Sequence, residues 1–234
     1  MAKISGAIFD CDGTLLDSMR MWNSVFVRLV ESYGIDPTPE LIARIEAATL
    51  PHTSEMLHED CGAGASSQEV LDRIHSVVLS EYVTNIKEMP GARAFIESLA
   101  AEGVPMIVAS STTSSVLRHV LAHFDFDKYF IDIICTAEVR DGRDKDFPDV
   151  YLEALSRLGT PIEETWVFED APFAVRSSRS AGFHVAGIHN DHDGRDPEFI
   201  RAWSDIYSEN YESISLEAIR DFDDASRKPL PEEA

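Results

Sequence analysis

Residues 9–18 read F-D-C-D-G-T-L-L-D-S and continue the apolar run Ile4 to Phe9 at the N-terminus. That run is short and strand-like, and polar residues stop it abruptly. Asp10 and Asp12 stand one residue apart at its end, and no basic residue follows until Arg20. Like charges held this close repel unless a cation joins them. A strand that ends in paired acids is therefore the feature from which the rest of the chain is read.

Beyond Ser18 the period changes. Trp22, Val25, Phe26, Leu29, Val30 and Tyr33 recur as a helical stripe that Gly34 ends. Thr38-Pro39 opens a second helix, with proline at its first position. Two further helical patterns cover 52–60 and 67–85, separated by the small-residue loop G-A-G-A-S-S. After Pro90-Gly91, strands P-M-I-V-A-S, I-D-I-I-C-T, W-V-F-E-D and F-H-V-A-G-I alternate with helices of about a dozen residues. The expected fold class is α/β, a doubly wound parallel sheet with an inserted all-helical cap. The boundaries expected are 1–17 and 89–225 for the core, 18–88 for the cap, and 226–234 for a frayed tail.

Composition narrows the function. The chain has 234 residues, of which 44% are hydrophobic and 26% charged, the balance of a globular protein. Its formal charge of −22 argues against nucleic acid, whose backbone is gripped by Lys and Arg. Three cysteines, Cys11, Cys61 and Cys135, are scattered and odd in number, which fits a reducing cytoplasm. No apolar run reaches the roughly 18 residues of a membrane span, so no membrane partner is expected. The N-terminal run is too short and ends too acidic for a signal peptide. Oligomeric state is left open.

In doubly wound sheets, ligands bind beyond the carboxyl ends of the strands. Asp10 and Asp12 follow the first strand; Ser110, Ser111 and Thr112 follow P-M-I-V-A; Glu169 and Asp170 follow T-W-V-F. Lys145 falls in the loop after I-D-I-I-C-T, with Arg140 and Arg143 nearby. Taken singly, D-x-D reads as a turn, Ser110 as a helix cap and Glu169-Asp170 as strand-end charges. Gathered at one sheet edge, several carboxylates need a counter-charge, and hard oxygen ligands suit Mg²⁺. Hydroxyls and amides at a helix start suit phosphate. Together they point to phosphoryl transfer.

These motifs resemble those of the haloacid dehalogenase superfamily. D-C-D-G-T-L-L-D-S is similar to its first motif, I-V-A-S-S to its second, Lys145 with P-D-V-Y to its third, and V-F-E-D to its fourth. The resemblance spans residues 5–190, and the insert is similar to the small helical cap of some members. It implies that Asp10 is the nucleophile forming an aspartyl-phosphate, and that Asp12 is the general acid and base. It also implies that Asp10, Asp170 and the Asp12 carbonyl hold Mg²⁺, with Glu169 in support through water. Ser110 and the Ser111 amide would hold phosphate oxygens, and Lys145 would bridge phosphate and nucleophile. Two departures stand out: Lys145 is followed by Asp146 rather than proline, and E-D-A-P-F-A replaces E-D-S-x-x-G.

The activity expected is a Mg²⁺-dependent phosphatase acting on a small phosphorylated metabolite. The alternative is a sugar phosphomutase of the β-phosphoglucomutase type. Asp12 argues against a dehalogenase, which needs no acid for its leaving group. A phosphonatase needs a cap lysine, and the only lysine of the insert is Lys87, at its far hinge. A phosphate-binding protein without activity is the remaining reading, and Asp10 with Asp12 weighs against it. The cap stretch Ala48 to Leu57 lacks the arginine a mutase would use for a second phosphate, with His52, Arg20 and Arg44 the available substitutes. Trp22 and Phe26 are read as cap packing first and pocket lining second. His189 and His192, after the last strand, are read as surface groups near the site edge.

Overall fold

The computed structural model describes residues 4–46, 48–190, 196–223, 225 and 227–231. Six strands form one parallel sheet in the order β3-β2-β1-β4-β5-β6. They are β1 (Gly6–Phe9), β2 (Met106–Ser110), β3 (Asp132–Cys135), β4 (Thr165–Glu169), β5 (His184–Ile188) and β6 (Ile206–Ser208). Every residue of β1, β2, β4 and β5 is buried, as expected where helices cover both faces of a parallel sheet.

Among the described residues five helices lie between β1 and β2, and the first four form the insert: α1 (Met19–Ser32), α2 (Pro39–Glu46), α3 (Leu50–Cys61) and α4 (Ser67–Asn85). The core helices are α5 (Ala92–Ala101), α6 (Ser114–His123), α7 (Asp149–Leu158), α8 (Pro172–Ser180), α9 (Pro197–Trp203) and α10 (Leu216–Arg220). The strand period of two sorts the core. Ala7, Phe9, Val108 and Phe168 join Phe95, Ile96 and Leu99 of α5 on one face. Ile8, Ile107, Val167 and Val185 join Val150 and Ala154 of α7 and Val175 of α8 on the other. Phe9 and Phe168 stack across adjacent strands with centroids 4.4 Å apart, which fixes the centre of the sheet.

The first of these cores runs without a break into the helical insert, taking in Val25, Leu29, Ile74, Val78 and Tyr82. The two connections between insert and sheet pair with each other: the Asp17 amide donates to the Lys87 carbonyl and the Met89 amide to the Leu15 carbonyl, both at 2.9 Å.

Two expectations change. Five strands were expected; β6 is the sixth, a three-residue edge element too short to show a period. The stretch expected as a frayed tail is anchored at two residues. Arg227 binds Asp205 at 3.0 Å, and the Lys228 carbonyl accepts from Arg179 at 2.9 Å. The Asp205 side chain is buried and also faces Arg179, so these ion pairs hold Arg227 and Lys228 onto the core.

Candidate active site

The strand order reverses at β1, with β2 on one side and β4 on the other, and the chemistry collects there. Phe9 is in register with Val108 and Phe168, and the Asp10 amide donates to the Phe168 carbonyl at 3.0 Å. Asp10 therefore leaves the sheet beside Glu169 and Asp170. Carboxylate oxygens of these three buried acids lie within 4.8 Å of one another.

Lys145 reaches into this cluster. Its ammonium donates to Asp10 Oδ1 at 2.5 Å and to Glu169 Oε1 at 2.6 Å. The hydroxyl of Ser177 on α8 pins the Lys145 carbonyl. Arg140 and Arg143 are not among the cavity's lining residues, and Arg143 pairs with Asp149 at 2.7 Å. The departures from the family pattern are accommodated locally. Asp146 faces Arg176 at 3.5 Å, and the Ala171 amide donates to Glu169 Oε2 at 3.1 Å.

Glu169 is held from four sides. Oε1 accepts from Lys145 and from the Tyr151 hydroxyl at 2.8 Å; Oε2 accepts from the amides of Asp170 and Ala171. Asp170 accepts from Thr14 at 3.3 Å and from Asn190 at 3.0 Å. Gly13 makes this packing possible. Its φ is +86°, and a Cβ there would meet Asp170 Oδ2 at 2.1 Å.

Asp12 is separate from the buried trio. Its Oδ1 accepts from Ser18 at 2.5 Å and from the Tyr82 hydroxyl, and its Oδ2 accepts from Thr112 at 2.9 Å. Ser18 belongs to the hinge, Tyr82 to α4 of the insert, and Thr112 to the loop after β2. Ser110 Oγ accepts from the Thr112 amide at 3.1 Å, and the Ser111 hydroxyl donates to Asp144 at 2.6 Å.

The electrostatics follow from burial. Burial raises the Asp10 carboxyl well above its usual range; Lys145 opposes this, while Glu169, Asp170 and Asp12 add to it. Burial pulls the Lys145 ammonium down, but Asp10 and Glu169 outweigh it and push the group up, so it remains a cation. Burial raises the phenols of Tyr82 and Tyr151, helped by Asp12 and Glu169 respectively, and both stay neutral donors. The Cys11 thiol is also pushed up by burial and is no thiolate nucleophile.

Asp10, Asp12, Ser110, Ser111, Lys145, Glu169 and Asp170 all line one cavity of 780 Å³ between sheet edge and insert. Trp22 and Phe26 line it as well, beyond their packing role. His52, Arg20 and Arg44 are not among the described lining residues, and Arg44 pairs with Asp60 at 2.6 Å. His189 accepts or donates with the Tyr207 hydroxyl at 2.6 Å; His192 lies outside the described residues. Five contributors are absent from the expected set: Asn190, Tyr151, Tyr82, Ser177 and Asp144. Asn190 stands two residues past β5, so the strand-end rule would have found it.

The model for the family described as haloacid dehalogenase-like hydrolase matches residues 7–188. The chain belongs to this family. Among its relatives, the phosphorylated carbohydrates phosphatase of Thermotoga maritima is 29% identical over 194 residues, covering 82% of this chain and 89% of that one. Hexitol phosphatase A of Escherichia coli is 30% identical over 196 residues, covering 80% and 84%. The crystal structure of a protein described as a putative β-phosphoglucomutase from Thermotoga maritima superposes with a TM-score of 0.69 at 27% identity, covering 93% and 99%. The haloacid dehalogenase-like hydrolases thus include proteins similar to this chain across most of its length.

Proposed function

We propose that the chain is a Mg²⁺-dependent phosphatase that hydrolyses a small phosphorylated metabolite through an aspartyl-phosphate on Asp10. The observation that carries this reading is the position of Asp10, buried against Lys145, Glu169 and Asp170 with Asp12 two residues on. The phosphatase names of its relatives support it.

The donor set fits a hard divalent cation. Six described acids line one cavity, four of them at the ends of β1 and β4, and Lys145 supplies one positive charge, which leaves the cluster short of cation. Asp10, Asp170 and the Asp12 carbonyl would hold the ion. When bound it would neutralise phosphate charge and the repulsion among the acids. Glu169 is already engaged by four donors, so its part is to fix Lys145 and to support the ion through water.

Asp10 Oδ attacks phosphorus, and the ester oxygen leaves with the electron pair of its P–O bond. Asp12, in its protonated form, gives that oxygen a proton and the alcohol departs. A water then attacks the aspartyl-phosphate and gives its proton to Asp12; phosphate leaves and Asp10 is regenerated. Lys145, Ser110 and the Ser111 amide hold the phosphoryl oxygens through both steps.

A screen of phosphorylated metabolites with Mg²⁺, reading released phosphate, tests the reading. Turnover is expected to vanish with a chelator and in Asp10→Asn. Release of no phosphate from any ester, nor from acetyl phosphate, would reject it.

A further inference from the structure

The cavity has two unlike walls. Its polar groups belong to the sheet edge, where they serve the phosphoryl group and the ion. The wall supplied by the insert consists of Met19, Trp22, Phe26, Ile45, Ala48 and Leu50. Among the described residues of that wall, the side chains offer no charge and no hydroxyl or amide, and the Trp22 indole N–H is their one polar group. At the mouth the core adds Phe173 and Phe199. The core lines the cavity with two further carboxylates, Asp144 and Asp196, each with its Oδ1 engaged. Asp144 Oδ1 accepts from Ser111 and from the Lys145 amide, and Asp196 Oδ1 from the Glu198 amide.

A phosphomonoester bound with its phosphate at Asp10 points its alcohol portion at this wall. Ring hydroxyls of a sugar would lose water there without regaining hydrogen bonds. A second anionic group would lose water without meeting a cation among the wall's described residues. An apolar group would exchange water for aromatic and aliphatic surface. The volume is within the range of about 300–1,000 Å³ that small-ligand sites occupy.

Resting on the phosphatase reading, we infer that the substrate is a phosphate monoester of a neutral, apolar alcohol, aromatic or branched aliphatic, and not a polyhydroxylated sugar phosphate. The insert's wall then sets specificity by shape and by the cost of stripping water from hydroxyls.

The test compares primary alkyl phosphates, so that the bond broken is alike and only the alcohol differs. The full chain with Mg²⁺ is assayed on 3-phenylpropyl phosphate, 3-methylbutyl phosphate, glucose 6-phosphate and glycerol 3-phosphate. We expect kcat/KM to favour the two apolar esters by at least about tenfold, chiefly through KM. Ala48→Asn places an amide on the wall at a partly exposed loop position, and should narrow that ratio at least about threefold. Equal or better use of the sugar phosphate overturns the inference, and so does an unchanged ratio in Ala48→Asn. Acetyl phosphate has almost nothing to present to the wall and reports on the chemistry alone. Its turnover alongside a preference for glucose 6-phosphate would sink the inference and leave the phosphatase reading standing. Should nothing be turned over, the phosphatase reading fails. Calorimetric Kd values of Asp10→Asn for 3-phenylpropyl phosphate and glucose 6-phosphate then decide the wall's preference by themselves, tighter binding of the sugar phosphate overturning it.

Discussion

The hydroxyl of Tyr82, on the last helix of the insert, donates to Asp12 Oδ1, two residues from the proposed nucleophile. Tyr82 is fully buried, and its ring meets Trp22 edge-on with centroids 6.2 Å apart. The aromatic cluster of the insert is thereby tied to the residue assigned as acid and base. The contact crosses from the insert to the turn after β1, so the insert takes part in placing Asp12.

Tyr82→Phe keeps the ring and removes the donor. We expect kcat to fall about tenfold, near 1.4 kcal/mol of barrier, with a smaller change in KM. An activated aryl phosphate, which needs less help from an acid, should lose less in single-turnover phosphorylation. Equal losses on both esters, or a loss confined to KM, would remove Tyr82 from the positioning of Asp12.

Asp10 carries a stability cost in the metal-free protein. Its folded carboxyl is raised, first by burial, so the folded state holds this proton more tightly than the unfolded chain. The sign follows: this contribution is fully present below about pH 4, where the unfolded carboxyl is also protonated, and is lost as pH rises through the raised folded value. Asp10→Asn cannot titrate, and Lys145 keeps Glu169 as a partner. The variant should melt at a higher temperature than the wild type at pH 7 without metal, and the gap should shrink toward pH 4. Mg²⁺ should raise the wild-type Tm by more than that of the variant. A variant less stable than wild type in metal-free buffer at pH 7 would contradict this.

Asn190 shows what lies behind a proposed ligand. Its amide donates to Asp170 Oδ2 at 3.0 Å and to the Gly13 carbonyl at 3.4 Å, so it orients the acid and the turn after Asp12 together. Loss of such a partner commonly weakens metal binding about 10- to 100-fold. Asn190→Ala should raise the Mg²⁺ concentration for half-maximal activity by that order, with kcat at saturating Mg²⁺ largely retained. An unchanged Mg²⁺ requirement would deny Asn190 the role.

Much of this site is legible in the amino-acid order alone, because its acids, hydroxyls and lysine sit at strand ends, where period and turn residues mark the boundaries. Asp10, Ser110 and Glu169 stand out for that reason. Tyr82 and Tyr151 do not, since each sits in the apolar stripe of a helix and reads as packing; only the fold turns their hydroxyls toward Asp12 and Glu169. The edge strand β6 escaped because three residues carry no period. The docking of Arg227 escaped because the carboxylate it meets, on Asp205, is 22 residues away and buried by contacts that sequence spacing does not show.

The last prediction separates phosphatase from mutase. A mutase must hold a second, non-reacting phosphate and keep its aspartyl-phosphate from water while the intermediate turns around. The first demand calls for a cation on the insert's side of the cavity, best met by an arginine gripping phosphate with two hydrogen bonds. Among the described lining residues, the insert supplies none; Arg44 faces Asp60, and His52 stands exposed beside Glu55 at 3.7 Å. Among the described lining residues the one cation, Lys145, is committed to Asp10 and Glu169. Net phosphate release is therefore expected, with no isomerisation of β-glucose 1-phosphate when a bisphosphate activator is supplied. Conversion to glucose 6-phosphate faster than phosphate appears would promote the mutase reading, and would place a second phosphate against a wall whose described residues carry no charge to hold it.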